Sequence, residues 1–324
     1  MPDSELLRVA NLNVVFNTSE GTVHALQDVN FSLKRGEILG LVGETGSGKS
    51  MTSMAIMRLI PSPPGRIARG TITFEGRNLL SLTEEEMRRV RGRDISMIFQ
   101  DPASYLNPVM TVGAQVEESI RSHSRLTPGE IRRRTVEMFE KVNIPDAAKS
   151  VKRFPHQFSG GMKQRVMIAM ALACSPKLLI ADEPTTALDV SIQAQILSLI
   201  KKLQQDMGSS ILLISHDLGI IATMARSVAV MYAGNIVEYG SAESIFEHPG
   251  HPYTQGLLNA IPRLDQDQEL LTVIPGTLPN PLTLPEGCSF SPRCELARKI
   301  CRQKAPPSLE IEPGHRVICH EYGK

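Results

Sequence analysis

The stretch GETGSGKS, Gly43 to Ser50, constrains this chain more than any other. It follows EILGLVG, a short apolar run of the kind that forms a buried strand. It leads into GKSMTSMAIMRLI, which reads as a helix stopped by PSPPG. Strand, glycine-rich turn and helix together are the setting of a phosphate-binding loop. Glycines let backbone N–H groups turn inward on an anion, and the helix N-terminus adds the positive end of its dipole. Gly43, Glu44, Thr45, Gly46, Ser47, Gly48, Lys49, Ser50 and Met51 are therefore the expected nucleotide-binding positions. Lys49 is expected to reach the β- and γ-phosphates, and Ser50 to offer its hydroxyl to Mg²⁺.

A second apolar strand, LLIADEP, ends in two carboxylates. Two such groups at the end of a buried strand are costly without a cation, so Asp182 is read as a Mg²⁺ ligand through water. Glu183, one residue on, is placed to polarise an attacking water. LLISHD ends a third apolar strand with His216, a candidate for the γ-phosphate. Between these strands FSGGMKQR opens another predicted helix, so Ser159, Gly160 and Gly161 form a second helix start suited to an anion. Ile192, Ile196, Leu199, Ile200 and Leu203 recur at helical spacing, with Gly208 just after.

The first forty residues read as strands, with SEGT as a turn. Residues from about Thr83 to Val142 read as mainly helical, with a break at Leu126 to Pro128. VAVMYAG and NIVEYG read as a closing hairpin. Strands alternating with helices imply a parallel sheet covered on both faces. After about Gly256 prolines crowd in (Pro262, Pro275, Pro279, Pro281, Pro285) and no long helical period survives. A boundary is expected near Tyr253 to Gly256, separating 1–255 from a small, loop-rich 256–324.

The chain has 324 residues, enough for a sizeable core and two domains. A net charge of +1 gives no strong pull toward nucleic acid or anionic membrane. The basic runs RRVRGR and IRRR have acidic neighbours and read as solvated helix faces. MPDSELLRVA lacks the basic start and apolar run of a secretory signal. No apolar stretch reaches the ~18 residues needed to span a bilayer. The chain is expected to be soluble and cytosolic.

Taken together, these motifs resemble the ATP-binding cassette (ABC) ATPases across nearly all of residues 5–250. GETGSGKS looks like Walker A, FSGGMKQR like the signature, and LLIADEP like Walker B with its catalytic glutamate. TALD, ending at Asp189, looks like the D-loop, Gln100 in MIFQDP like the Q-loop glutamine, and His216 like the switch histidine. The resemblance implies an α/β P-loop NTPase of ABC type, with a parallel core sheet, an antiparallel β subdomain and a helical subdomain at about 83–175. It implies catalytic Glu183, His216 and Gln100, and Mg²⁺ held by Ser50, Gln100 and Asp182. In this family two ATPases pair head to tail, so Ser159, Gly160, Gly161 and Gln164 serve the partner's ATP. Phe16 is the candidate for stacking on adenine. Met162 departs from the glutamine often found after the glycines. Tyr105 and Leu106, in DPASYLNPVMTVG, are candidate contacts to transmembrane subunits.

The tail, HPGHPYTQGLLNAIP followed by GCSFSPRCELARKIC, resembles the ATPase subunits of dipeptide and oligopeptide importers, with nickel importers as close relations. That implies two transmembrane permease subunits, a second and similar ATPase (a heterodimer), an extracytoplasmic solute-binding protein, and a place at the cytoplasmic face of the inner membrane. ABC ATPases of DNA repair or translation are the alternative class. They carry coiled-coil insertions, tandem cassettes or basic surfaces that this chain lacks, and no nucleic-acid partner is expected.

The tail also holds Cys288, Cys294, Cys301 and Cys319, whereas Cys174 lies apart on an apolar helix and reads as a buried structural thiol. In a reducing cytosol, clustered thiols point to a metal before a disulfide. Zinc ligands usually come in close pairs, and these gaps are wider. If CELARKIC is helical, Cys294 and Cys301 stand ~10 Å apart along the axis, too far for one zinc. Four thiolates suit a 4Fe–4S cluster, and the resemblance points the same way. Zinc stays as the alternative metal, with His315 and His320 as possible substitute ligands.

Overall fold

The computed structural model describes residues 5–186, 188–261 and 274–323, without the side chain of Ala103. Pro262 of the proline-rich run and Ala187 of TALD lie outside the described residues. The described chain falls into two compact units, one of residues 34–37 and 81–213, the other of 5–33, 38–80 and 214–323.

In the first unit the strands Ile95–Ile98 and Leu178–Asp182 pair in parallel, Ile95 opposite Leu178 and Ile98 opposite Ala181. Every residue of both is buried, as strands covered on both faces require. The first of these corrects the mainly helical reading of this region: ISMI is a strand too short to show a period of its own. Helices Val112–His123, Pro128–Lys141, Gly160–Leu172 and Val190–Met207 make up the rest of the unit's regular structure with short pieces. Their starts are chemically specified. Thr127 caps with its side chain, Glu130 closes the capping box and Pro128 fills the first turn. Thr83 and Glu86 repeat the device at Glu84–Val90. Such a cap contributes about 1 kcal/mol. Gly208, in the left-handed region at φ 67°, ends Val190–Met207 as its place in the sequence suggests.

The second unit holds two sheets. One is antiparallel, with Glu5–Thr18 between Gly21–Lys34 and Gly65–Phe74, and Arg77–Asn78 at the edge. Leu7 faces Phe74 and Val9 faces Ile72, and the alternating burial of Leu7 and Val9 against exposed Arg8 is the period-2 pattern of a half-covered sheet. The other sheet pairs Ile38–Val42 in parallel with Ser227–Tyr232. The latter turns back through Ala233 and Gly234, both at positive φ, into Asn235–Ser241. That is the expected hairpin with the turn backbone such hairpins prefer.

The tail is less loop-like than its prolines imply. Ser308–Glu312 and His315–Ile318 form a hairpin, and His315–Ile318 joins the edge of Asn235–Ser241, Glu238 opposite Val317. The turn signal Pro313-Gly314 between them was visible in the sequence. A helix, Pro252–Asn259, runs straight through Tyr253 to Gly256, where a boundary was expected. The two compact units divide the chain elsewhere, at 33/34, 37/38, 80/81 and 213/214. No helix among the described residues is long and apolar enough to cross a membrane.

Candidate functional site: a phosphate loop, a Walker B corner and a thiol-lined tail

In the second unit the phosphate loop sits between the strand Ile38–Val42 and the helix Lys49–Ile56. The helix is shorter than the sequence implied, because Arg58 turns into the left-handed region at φ 51° soon after its end. Lys49 is 5% exposed, and its Nζ donates to the carbonyls of Gly43 (2.7 Å) and Glu44 (2.9 Å). The ammonium thus lies over the loop, where phosphate oxygens can take the place of carbonyls. Ser47 is fully buried and its hydroxyl has no partner, a polar atom in the loop suited to an added ligand. Gly43 (φ 152°), Gly46 (φ 84°) and Gly48 (φ 110°) hold backbone angles that side chains resist. Ser50 and Thr45 are exposed and Met51 half-buried. Phe16 lies half-buried on the antiparallel sheet opposite Gly65. His216 is exposed just past Ser210–Ser215.

In the first unit the Walker B strand delivers Asp182, 5% exposed, and then Glu183 at φ 46°. A left-handed glutamate is strained by about 1–2 kcal/mol. Two hydrogen bonds hold its carboxylate: Gln100 Nε2 donates to Oε2 at 2.8 Å and Thr186 Oγ1 at 2.9 Å. The structure therefore brings Gln100 and Glu183 together, residues 83 apart in sequence. Ser159 caps Gly160–Leu172, its hydroxyl accepting from Met162 N, and Ser159 and Gly160 are exposed. Met162 supplies only a backbone N–H here, so its departure from glutamine leaves the cap intact. Asp189 is exposed at the start of Val190–Met207, beside Val190 at 83% exposure.

Three expectations need correction. Gln164 is not on offer to a partner's nucleotide: it is 1% exposed and its amide donates to Pro184 O at 2.6 Å, tying the signature helix to the Walker B loop. Leu106 is 3% exposed and belongs to the core, whereas Tyr105, stacked on Phe99, is 53% exposed. Cys174 is half-buried rather than buried, its thiol donating to Ser119 O.

In the tail all four cysteines are half-buried and line one cavity of ≈ 20 Å³ with Phe290 and His251. Burial pushes the Cys288 thiol up to about 11, and the neighbouring Cys319, Cys294 and Cys301 push the same way. Burial likewise raises Cys294 and Cys319. CELARKIC is not one helix: only Lys299–Gln303 is, after a series of turns, so the axial spacing weighed against zinc does not apply. Among the described residues no group of three or more His, Cys, Asp or Glu is arranged to hold a single metal ion. His315 is engaged elsewhere, its Nε2 2.7 Å from the buried carboxylate of Glu238, which also accepts from the N–H groups of Gly250 and His251. His320 Nε2 meets Lys304 O at 2.9 Å.

No motif in the sequence singles out His251. Burial lowers its pKa to about 3, and its neutral ring accepts from Tyr253 N.

Two family models match the chain: ABC transporter over residues 26–186, and oligopeptide/dipeptide transporter, C-terminal region, over residues 237–301. The oligopeptide transport ATP-binding protein OppD of Bacillus subtilis (strain 168) is 53% identical over 315 residues, 97% of this chain and 88% of that protein. The protein of the same name from Escherichia coli (strain K12) is 52% identical over 97% of this chain and 92% of its own length.

The chain belongs to the ABC transporter ATPases. Among solved structures, the dimeric cassette MJ0796 in a post-hydrolysis state with ADP and Pi matches at TM-score 0.66 and 27% identity, over 73% of this chain and 99% of that one. The cbiO1 subunit from Clostridium perfringens matches at TM-score 0.65 and 29% identity, over 75% and 91%. The ABC fold is thus established, and with it ATP binding and hydrolysis as the activity of this family of chains. The motif residues keep the chemistry such hydrolysis needs, with Glu183 and His216 both present.

Proposed function

We propose that this chain is the ATPase of an oligopeptide ABC importer, working at the cytoplasmic face of the cell membrane with two permease subunits, a second ATPase and an extracytoplasmic peptide-binding protein. The observation that carries it is identity above 50% with oligopeptide transport ATP-binding proteins through both the cassette and the tail. Lys49 and the loop N–H groups hold the phosphates, Ser50 and Asp182 serve Mg²⁺, and Glu183 polarises water. Ser159, Gly160 and Gly161 offer an exposed helix start to the nucleotide of the second ATPase. Exposed Tyr105 and Val109 fit a permease contact, and exposed Asp189 and Val190 fit the ATPase–ATPase contact.

The test is uptake of a labelled oligopeptide in cells deleted for the chain. Wild type restores uptake and Glu183→Gln does not. Restored nickel uptake without peptide uptake, or copurification with ribosomes or DNA instead of permeases, overturns the reading.

We also read the four tail cysteines as ligands of a 4Fe–4S cluster. The observation behind this reading is that all four thiols line one small cavity, and four thiolates are the ligand set of such a cluster. Cys288, Cys294, Cys301 and Cys319 would hold it, and its chemistry there is cross-linking of turns that have little core of their own. Anaerobically purified protein is expected to absorb broadly near ~400 nm and to contain about four irons and four sulfides. Cys288→Ser is expected to lose both. One zinc and no colour, or no metal, refutes this.

A further inference from the structure

Glu44, inside the phosphate loop, is held at three points. Its carbonyl accepts from Lys49 Nζ, its N–H donates to the Tyr253 hydroxyl at 2.9 Å, and its carboxylate accepts from Arg293 at 3.0 Å. Two of the three holders come from the C-terminal part of the chain. Arg293 sits between Cys288 and Cys294 in sequence, and its side chain is only 6% exposed. Its Nε donates to Pro275 O at 2.8 Å and a terminal nitrogen to Ile274 O, so the guanidinium is fixed before it meets Glu44. Tyr232, Tyr253 and Phe290, all buried, pack edge-on or tilted against one another, and the guanidinium lies 5.8 Å from the Tyr232 ring centre.

A carboxylate in a phosphate loop is electrostatically misplaced, because a nucleoside triphosphate brings several negative charges to the same few residues. Unpaired, it lowers affinity for the anion. A buried, pre-oriented guanidinium cancels that charge, and its own burial is tolerable only because a carboxylate and two carbonyls receive it. We infer that Arg293 is a positioning residue for ATP, a cation supplied by the tail that neutralises Glu44 and sets the phosphate loop in its binding shape. The tail thereby acts on the motor and is more than an appendage to it.

The test compares ATP affinity by calorimetry, and steady-state hydrolysis, in full-length wild type, Arg293→Met, Arg293→Lys and the double variant Glu44→Gln/Arg293→Met. Arg293→Met is expected to raise the Kd for MgATP about tenfold and KM in proportion, with little change in kcat. The gap from wild type is expected to narrow as salt rises from about 0.05 to about 0.5 M. Adding Glu44→Gln removes the charge that Arg293 cancels, and is expected to recover affinity to within about threefold of wild type. A purely architectural arginine predicts the opposite: the double variant binds as weakly as Arg293→Met. That result, or unchanged affinity in Arg293→Met, overturns the inference. Arg293→Lys decides the matter if the Met variant does not fold. It keeps the charge and drops the fork, so near-wild-type affinity supports neutralisation and a tenfold loss overturns it.

Discussion

Glu183→Gln is expected to cut ATP turnover by about 10²–10⁴-fold, the usual range for losing a general base, while leaving ATP binding in place. Gln is nearly isosteric with Glu, and its carbonyl can still accept from Gln100 and Thr186, which hold the carboxylate now. The left-handed backbone at Glu183 is no harder for Gln. What goes is the negative charge that polarises water. Phosphate release and nucleotide binding measured on the same preparation check this. Turnover within about threefold of wild type would remove Glu183 from the role of base.

Gly43→Ala is expected to abolish measurable ATP binding, with Kd raised more than about a hundredfold, and to lower stability by about 3 kcal/mol. A Cβ at Gly43 would lie against the carbonyl oxygen of Met231 and 2.8 Å from Ser47 Oγ. The first contact is backbone, so the loop must lift away from the strand Ser227–Tyr232. That displaces the N–H groups that face the phosphates. A control separates the clash from the backbone angle. Gly36 also has positive φ, 69°, but nothing lies within 4 Å of its Cβ position. Gly36→Ala is expected to cost only about 1 kcal/mol and to leave ATP binding unchanged. Thermal unfolding and ATP titration of the two variants make the comparison. Equal losses in both would mean that backbone angle, and not crowding, governs Gly43.

The motif groups Gln164 with Ser159 to Gly161, yet Gln164 lies on the buried side of the signature helix, where Pro184 O receives its amide. Leu106 and Tyr105 are neighbours in one segment, yet one is buried and the other exposed. The strand Ile95–Ile98 is not legible inside its helical surroundings, because four residues carry no usable period. For Gln164 and Leu106 the motif gives the neighbourhood, and packing decides which side chain faces what.

The residues expected to do the motor's chemistry are legible in short consecutive motifs. The phosphate loop, the Asp182–Glu183 corner and the signature start are each built from consecutive residues, with strand and helix signals on either side. Backbone N–H groups at a glycine-rich helix start bind anions wherever that helix is placed, so local pattern is enough. How the tail meets the loop depends on folding. Arg293 and Glu44 are 249 residues apart, and His315 and Glu238 are 77 apart. No local period relates such partners. They meet because the tail hairpin extends the strand Asn235–Ser241, and because Tyr253, packed with Tyr232 and Phe290, accepts from the Glu44 N–H. Packing buries Arg293 and Glu238, and each then keeps the polar partner that the fold brings to it, because burial without one is costly.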